Sequence, residues 1–151
     1  MKFIRIISVL LIAATLCCSF ISCNNGKNVE AELPEREFYD MTVSFQIKNS
    51  SGKTLVEAID YNYKGHEEPT ILNIITDYLY IVAEFRYTID KNNTLQQVGG
   101  TKARSGEYWG FTEGIDHDIQ TIFSTLIDKK MSEYIIKDGG EFTVVLVPAS
   151  K

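Results

Sequence analysis

Cysteine disappears from this chain after Cys23. All three cysteines, Cys17, Cys18 and Cys23, lie near the N-terminus. A chain processed before Cys23 keeps that one residue, which excludes an internal disulfide, and acylation of Cys23 would exclude thiol catalysis. Histidine is scarce as well, with only His66 and His117. His66-Glu67-Glu68 lacks the second histidine four residues on that a zinc protease needs. Each histidine stands alone and reads as a solvated side chain rather than a metal ligand. No cluster of lysine and arginine occurs, which argues against nucleic acid and anionic lipid headgroups as partners. Tryptophan occurs once, at Trp109.

Only the N-terminal residues carry a long apolar run. Lys2 and Arg5 precede Ile6 to Ile21, a stretch with no charged residue. That is the basic and then apolar order of an export signal, and the run is too short to span a bilayer comfortably as a helix. Phe20-Ile21-Ser22-Cys23 resembles a bacterial lipoprotein processing site, with a small residue before the cysteine and Phe20 where leucine is usual. The expectation is a lipoprotein signal peptide over residues 1–22, lipidation at Cys23 and attachment to the membrane through that lipid. Residues 23–37 are polar, contain Pro34 and carry Glu30, Glu32, Glu35 and Glu37. They read as a flexible tether. An acidic tether after the cysteine is similar to surface-export signals of Bacteroidetes lipoproteins, although Lys27 interrupts it. The expected location is the outer membrane, at the cell surface.

Residues 38–151 have the size of one ordinary domain. With 44% hydrophobic residues in the whole chain, a real core is within reach. Loss of Lys2 and Arg5 takes the formal charge from −5 to −7. Met41 to Lys48 alternates Val43, Phe45 and Ile47 against Thr42, Ser44 and Gln46, which predicts a half-buried strand. Asn49-Ser50-Ser51-Gly52 is a turn signal, and Leu55 to Tyr63 a second strand of the same hairpin. Apolar residues at 71, 72, 74, 75, 78 and 79 form a helix stripe that starts near Pro69 or Thr70. Ile81 to Ile89 alternates again, with Ala83, Phe85 and Tyr87 on one face. Ile115, Ile119, Ile122, Phe123, Leu126 and Ile127 follow helical spacing, predicting an amphipathic helix within Ile115 to Met131 with Asp116 as a cap.

Two segments stand apart. Tyr108-Trp109-Gly110-Phe111-Thr112-Glu113-Gly114 sets the single tryptophan between two aromatics ahead of a glycine turn. Tyr134-Ile135-Ile136-Lys137-Asp138-Gly139-Gly140-Glu141 is a turn signal running into the alternating Phe142 to Val147. Together they resemble the end of the C-terminal β-domain of transcobalamin and intrinsic factor. That resemblance implies an α+β fold: a β-grasp-like mixed sheet with one packed helix, to which this chain adds a further C-terminal amphipathic helix. It also implies a binding protein for cobalamin or related corrinoids. The separate helical domain that encloses the ligand in those carriers has no counterpart here, so the expected site is an open half-site.

A corrinoid is a broad, flattened macrocycle fringed with amides, and its receptor needs apolar area against the ring and polar groups against the fringe. Tyrosine, tryptophan and phenylalanine supply rigid area at low entropic cost, and tyrosine adds a hydroxyl. The expected ligand-binding residues are Tyr87, Tyr108, Trp109 and Phe111, with Tyr87 beside the others. Strand alternation sends Tyr108 and Trp109 to opposite faces, so Trp109 is either core anchor or ligand contact. His66 and His117 are poor candidates for a cobalt ligand. Cobalamin enters as bound ligand, with no catalytic cofactor expected.

Enzyme inventories come up short. Asp90, Asn92 and Thr94 mimic the start of a calcium loop, but Leu95 holds its glycine position and Thr101 its closing glutamate position. Gly99-Gly100 lacks the surroundings of a phosphate loop or a dinucleotide fingerprint, and no nucleophile elbow is present. The expectation is a non-enzymatic protein that binds a corrinoid and passes it to an outer-membrane transporter. The alternative is a β-grasp module that docks another envelope protein. An exposed Trp109 favours the first; a buried Trp109 with an apolar patch elsewhere favours the second.

Overall fold

A hairpin, a helix and two returning strands assemble around one mixed sheet. The structure is a computed structural model that describes residues 37–149. The signal peptide, Cys23 and the tether up to residue 36 therefore lie outside the described residues. The strands are β1 (Tyr39–Lys48), β2 (Thr54–Gly65), β3 (Tyr87–Ile89), β4 (Leu95–Val98), β5 (Thr101–Lys102), β6 (Tyr108–Glu113) and β7 (Gly140–Val147). The helices are α1 (Ile71–Ile81) and α2 (Ile119–Ser124). A four-stranded sheet runs β2-β1-β7-β6, and a small antiparallel sheet runs β3-β4-β5. β1 pairs with β7 in parallel, while its hairpin partner β2 and the β6–β7 pair are antiparallel. The fold is thus α+β and mostly strand, with a mixed sheet and a packed helix. No helix among the described residues is long and apolar enough to cross a membrane.

The hairpin turn follows from Asn49, whose Oδ1 accepts from the N–H groups of Ser51 and Lys53. That is an Asx-type turn made by the asparagine itself. Inward residues meet across the ladder, with Phe45 opposite Ala58 and Ile47 opposite Val56. A bulge interrupts the pairing after Val43, and Asp60 there takes φ 51°. Its N–H is donated to Ser44 Oγ at 3.0 Å, which replaces a lost ladder bond.

β1 differs from the half-buried strand its alternation predicts, because both of its faces are covered. Ser44, Gln46 and Lys48 are buried along with Val43, Phe45 and Ile47. The loop before α2 lies over the polar side: Gln46 Nε2 donates to Asp116 Oδ1, and Lys48 Nζ to the His117 carbonyl. The polar positions of β1 are therefore largely hydrogen-bonded rather than solvated, although Gln46 Oε1 is buried without a partner.

Thr70 caps α1, its side chain accepting from Asn73 N. Ile71, Leu72, Ile74, Ile75 and Leu79 are buried beneath the helix, as the stripe predicts. The first-turn N–H groups of Ile71 and Leu72 donate to the carbonyls of Tyr134 and Met131. Helix N-termini leave such donors without intrahelical partners, and the segment ahead of β7 supplies them here.

Two predicted elements need correcting. The strand expected over Ile81 to Ile89 is mostly a helix end and a turn. Val82 and Ala83 donate to Tyr78 O and Phe85 donates to Leu79 O, so the chain keeps winding against α1 until Tyr87 joins β4. The helix expected within Ile115 to Met131 is only α2. Asp116 takes φ 64° and is not a cap; Asp118 is, its carboxylate accepting from Gln120 N and Thr121 N. Beyond α2, Ile127 N donates to Phe111 O, so the chain runs along the open side of β6 instead of extending the helix.

Candidate functional site

β6 carries the aromatic segment as the outer strand beside β7, with Tyr108 opposite Val147, Trp109 opposite Leu146 and Phe111 opposite Val144. Alternation divides these side chains between the two faces, as expected for Tyr108 and Trp109. Tyr108 is 51% exposed, Trp109 only 4% and Phe111 1%. Phe111 is a core residue, its ring edge-on to Tyr134 at 5.0 Å between centroids. Gly110 explains how the other face is covered. A Cβ there would sit 3.0 Å from Leu126 Cδ2 and 3.1 Å from Val147 Cγ2, so any larger residue would have to push these side-chain ends back by a few tenths of an ångström.

That covering segment and β6 enclose a cleft of about 680 Å³, within the size range of ligand pockets. Its wall includes Tyr108, Trp109, Leu126 and Met131, together with Asn93 and Thr94. Lys129, Lys130, Asp128 and Glu133 also line it, giving a charged margin around an apolar floor. Lys130 and Glu133 pair with each other at 3.0 Å on the surface. Lys129 Nζ stands 5.6 Å from the centre of the Tyr134 ring. Tyr134 OH donates to Glu113 Oε1, and that bond raises the tyrosine pKa.

One atom here is out of balance. The indole Nε1 of Trp109 is buried without a hydrogen-bond partner. Buried tryptophan N–H groups normally find an acceptor, and an orphan costs about 1–3 kcal/mol. Trp109 is therefore packed as a core residue that carries an unmet donor, and it also borders the cleft.

Tyr87 lies away from this cleft, on β3 opposite Val98. With Tyr80 and Phe85 it lines a second, more open hollow of about 780 Å³. Of the four expected ligand contacts, the structure thus brings Tyr108 and Trp109 to one cleft, places Tyr87 in another and buries Phe111. His66 sits edge-on to Phe38 with Nδ1 3.2 Å from the Glu37 carbonyl. His117 is half-buried, and its carbonyl holds Lys48. No cluster of three or more histidine, cysteine, aspartate or glutamate side chains is placed to hold a metal among the described residues.

Sequence reasoning missed the Leu126–Met131 stretch as a cleft wall, since its periodicity resembled a helix. It also missed Asn93 and Thr94. Their signal was the Asp90 turn, where Asp90 Oδ1 accepts from Asn92 N and Thr94 N, so the apparent calcium ligand is occupied by backbone.

No family model and no curated protein matches this chain. Among solved structures it is similar to haptocorrin in complex with Cbi, at TM-score 0.51 and 10% identity over 83% of this chain. The chain spans 29% of that haptocorrin chain. It is also similar, at TM-score 0.44 and 9% identity, to a proposed metal-binding protein from Ruminococcus gnavus, covering 73% of this chain and 99% of that one. The second likeness is too slight to carry an argument, and the first is a likeness of fold alone.

Proposed function

We propose that this chain is a small, non-enzymatic corrinoid-binding protein of the cell envelope. It is held by a lipid on Cys23 and passes cobalamin or a related corrinoid to an outer-membrane transporter. The observation that carries the reading is the cleft beside β6, which exposed Tyr108 and the largely buried Trp109 both border. Tyr108 offers ring area and a hydroxyl to a ligand with an apolar face and an amide fringe. The charged margin suits a ligand that is apolar on its face and polar at its rim. The fold shared with haptocorrin, solved with Cbi bound, and the resemblance of the Tyr108 and Tyr134 segments to the vitamin carriers support the same ligand class. An open site limits burial, so release is fast enough for hand-over.

The test is calorimetric titration of cyanocobalamin into the chain from residue 24 onward, which contains every described element. Tyr108→Ala and Trp109→Phe should each weaken binding about tenfold or more, with circular dichroism unchanged. Absence of heat and of any change in Trp109 fluorescence would sink the corrinoid reading. A second reading, a β-grasp module that docks another envelope protein, is favoured by the burial of Trp109 and by apolar residues exposed elsewhere.

A further inference from the structure

The apolar stripe of α1 faces the core, and a second stripe has a different use. Asn73, Thr76, Asp77 and Tyr80 recur at helical spacing, so they share one face of the helix, and none of them is buried. That face is one wall of a hollow of about 260 Å³. Tyr63 on β2, Tyr87 on β3 and Glu67 from the loop after β2 border it from other sides. The hollow has no lining residue in common with the cleft at Trp109. It is smaller than the roughly 300–1,000 Å³ of a drug-sized site, and suits a small ion or a single chemical group.

Its chemistry is three tyrosines beside two carboxylates. Tyr61 OH donates to Asp77 Oδ2, which fixes that carboxylate on the wall. Tyr63 OH donates to the Glu67 carbonyl at 3.1 Å, which fixes the Tyr63 ring. The ion pairs among the described residues are Lys64–Asp40 and Lys130–Glu133, so neither Asp77 nor Glu67 has a cation partner there. Lys64 also lines the hollow, but its ammonium is countered by Asp40 at 2.9 Å. Burial, and then the charges of Asp77 and Glu67, raise the Tyr63 hydroxyl pKa, as a negative field in the hollow requires. Aromatic rings attract positive charge and offer apolar area, and carboxylates supply the countercharge. A metal ion lacks its ligand set, since no group of three acidic, histidine or cysteine side chains forms among the described residues. We propose that this hollow binds a small organic cation, an alkylated ammonium ion, with its charge against Asp77 and Glu67 and its alkyl groups against Tyr63, Tyr80 and Tyr87. Such a site works with or without a corrinoid in the cleft at Trp109.

The experiment is an NMR titration of the nitrogen-15-labelled chain from residue 24 onward with choline chloride, against sodium chloride at matched ionic strength. Saturable shifts are expected at Asp77, Tyr80 and Tyr87, with half-saturation at about 1–10 mM for so small a ligand. The neutral isostere 3,3-dimethyl-1-butanol, with carbon in place of the nitrogen, should leave them unmoved. Asp77→Asn keeps an acceptor for Tyr61 and should weaken choline about tenfold; Tyr80→Ala, at an exposed helix end, should weaken it about threefold or more. Shifts no larger than those from sodium chloride overturn the proposal. Equal binding of the neutral isostere, or affinity unchanged in both variants, overturns it as well. Phosphatidylcholine vesicles separate the two sources of such a cation. Cosedimentation that Asp77→Asn abolishes assigns the site to a lipid headgroup, and choline binding without cosedimentation assigns it to a free ion.

Discussion

Trp109 and Phe111 occupy the same strand and are equally hidden, yet their substitutions should differ. Phe111→Ala empties a packed site and should cost about 3–5 kcal/mol. Trp109→Phe also loses volume, but it removes a donor that burial leaves unsatisfied. The two effects oppose each other, so the urea midpoint should correspond to a net change within about 1 kcal/mol. A Trp109→Phe cost as large as that of Phe111→Ala would mean that the indole N–H has an acceptor in solution. Tyr61 gives a second prediction at this scale. Burial, and then the bond it donates to Asp77 Oδ2, push its hydroxyl pKa well above the ordinary 10.0. The folded state thus favours the protonated phenol. Its contribution is intact below pH 10 and is lost as pH rises from there through the folded value. The stability gap between the parent and Tyr61→Phe, read from urea midpoints, should shrink across that alkaline range and stay constant from pH 6 to about 9.

Elements were legible wherever their cause was local. The alternation of Val43, Phe45 and Ile47, the Asn49 turn and the Thr70 start each rest on neighbouring residues, and the structure has them. The path of the chain beyond α2 depends on a distant partner. Ile127 leaves helical geometry because Phe111 O on β6 accepts its N–H, and no window of sequence around Ile127 contains that information. Tyr87 misleads for the same reason, since its position depends on the strand it pairs with. In the candidate site, the division of Tyr108 from Trp109 followed from alternation, while the covering segment did not. The cap of α2 is testable as an element. The hydroxyl of Thr121, with the N–H groups of Thr121 and Gln120, holds the Asp118 carboxyl below its ordinary 3.8. A depressed carboxyl contributes above its unfolded value, and the contribution is lost as pH falls through the folded one. Asp118→Ala should therefore lower the guanidinium midpoint at neutral pH and match the parent in acid. A constant difference at all pH values would show that the carboxylate charge is irrelevant there.

Across the whole molecule, the sheet is joined at one line, β1 against β7. Thr42 and Asp138, which bond just ahead of that ladder, are 96 positions apart. β7 pairs with both β1 and β6, so deleting Gly140–Val147 leaves a hairpin and a lone strand in place of the four-stranded sheet. Such a chain should show neither cooperative urea unfolding nor the native circular dichroism spectrum. Non-local pairing of this kind also slows folding, because loop closure precedes the contacts that reward it. For a growing polypeptide the consequence is one of timing. Until Gly140–Val147 has cleared the ribosome tunnel, the growing polypeptide holds only a hairpin and a separate strand in place of the four-stranded sheet, and it offers little resistance to unfolding or threading.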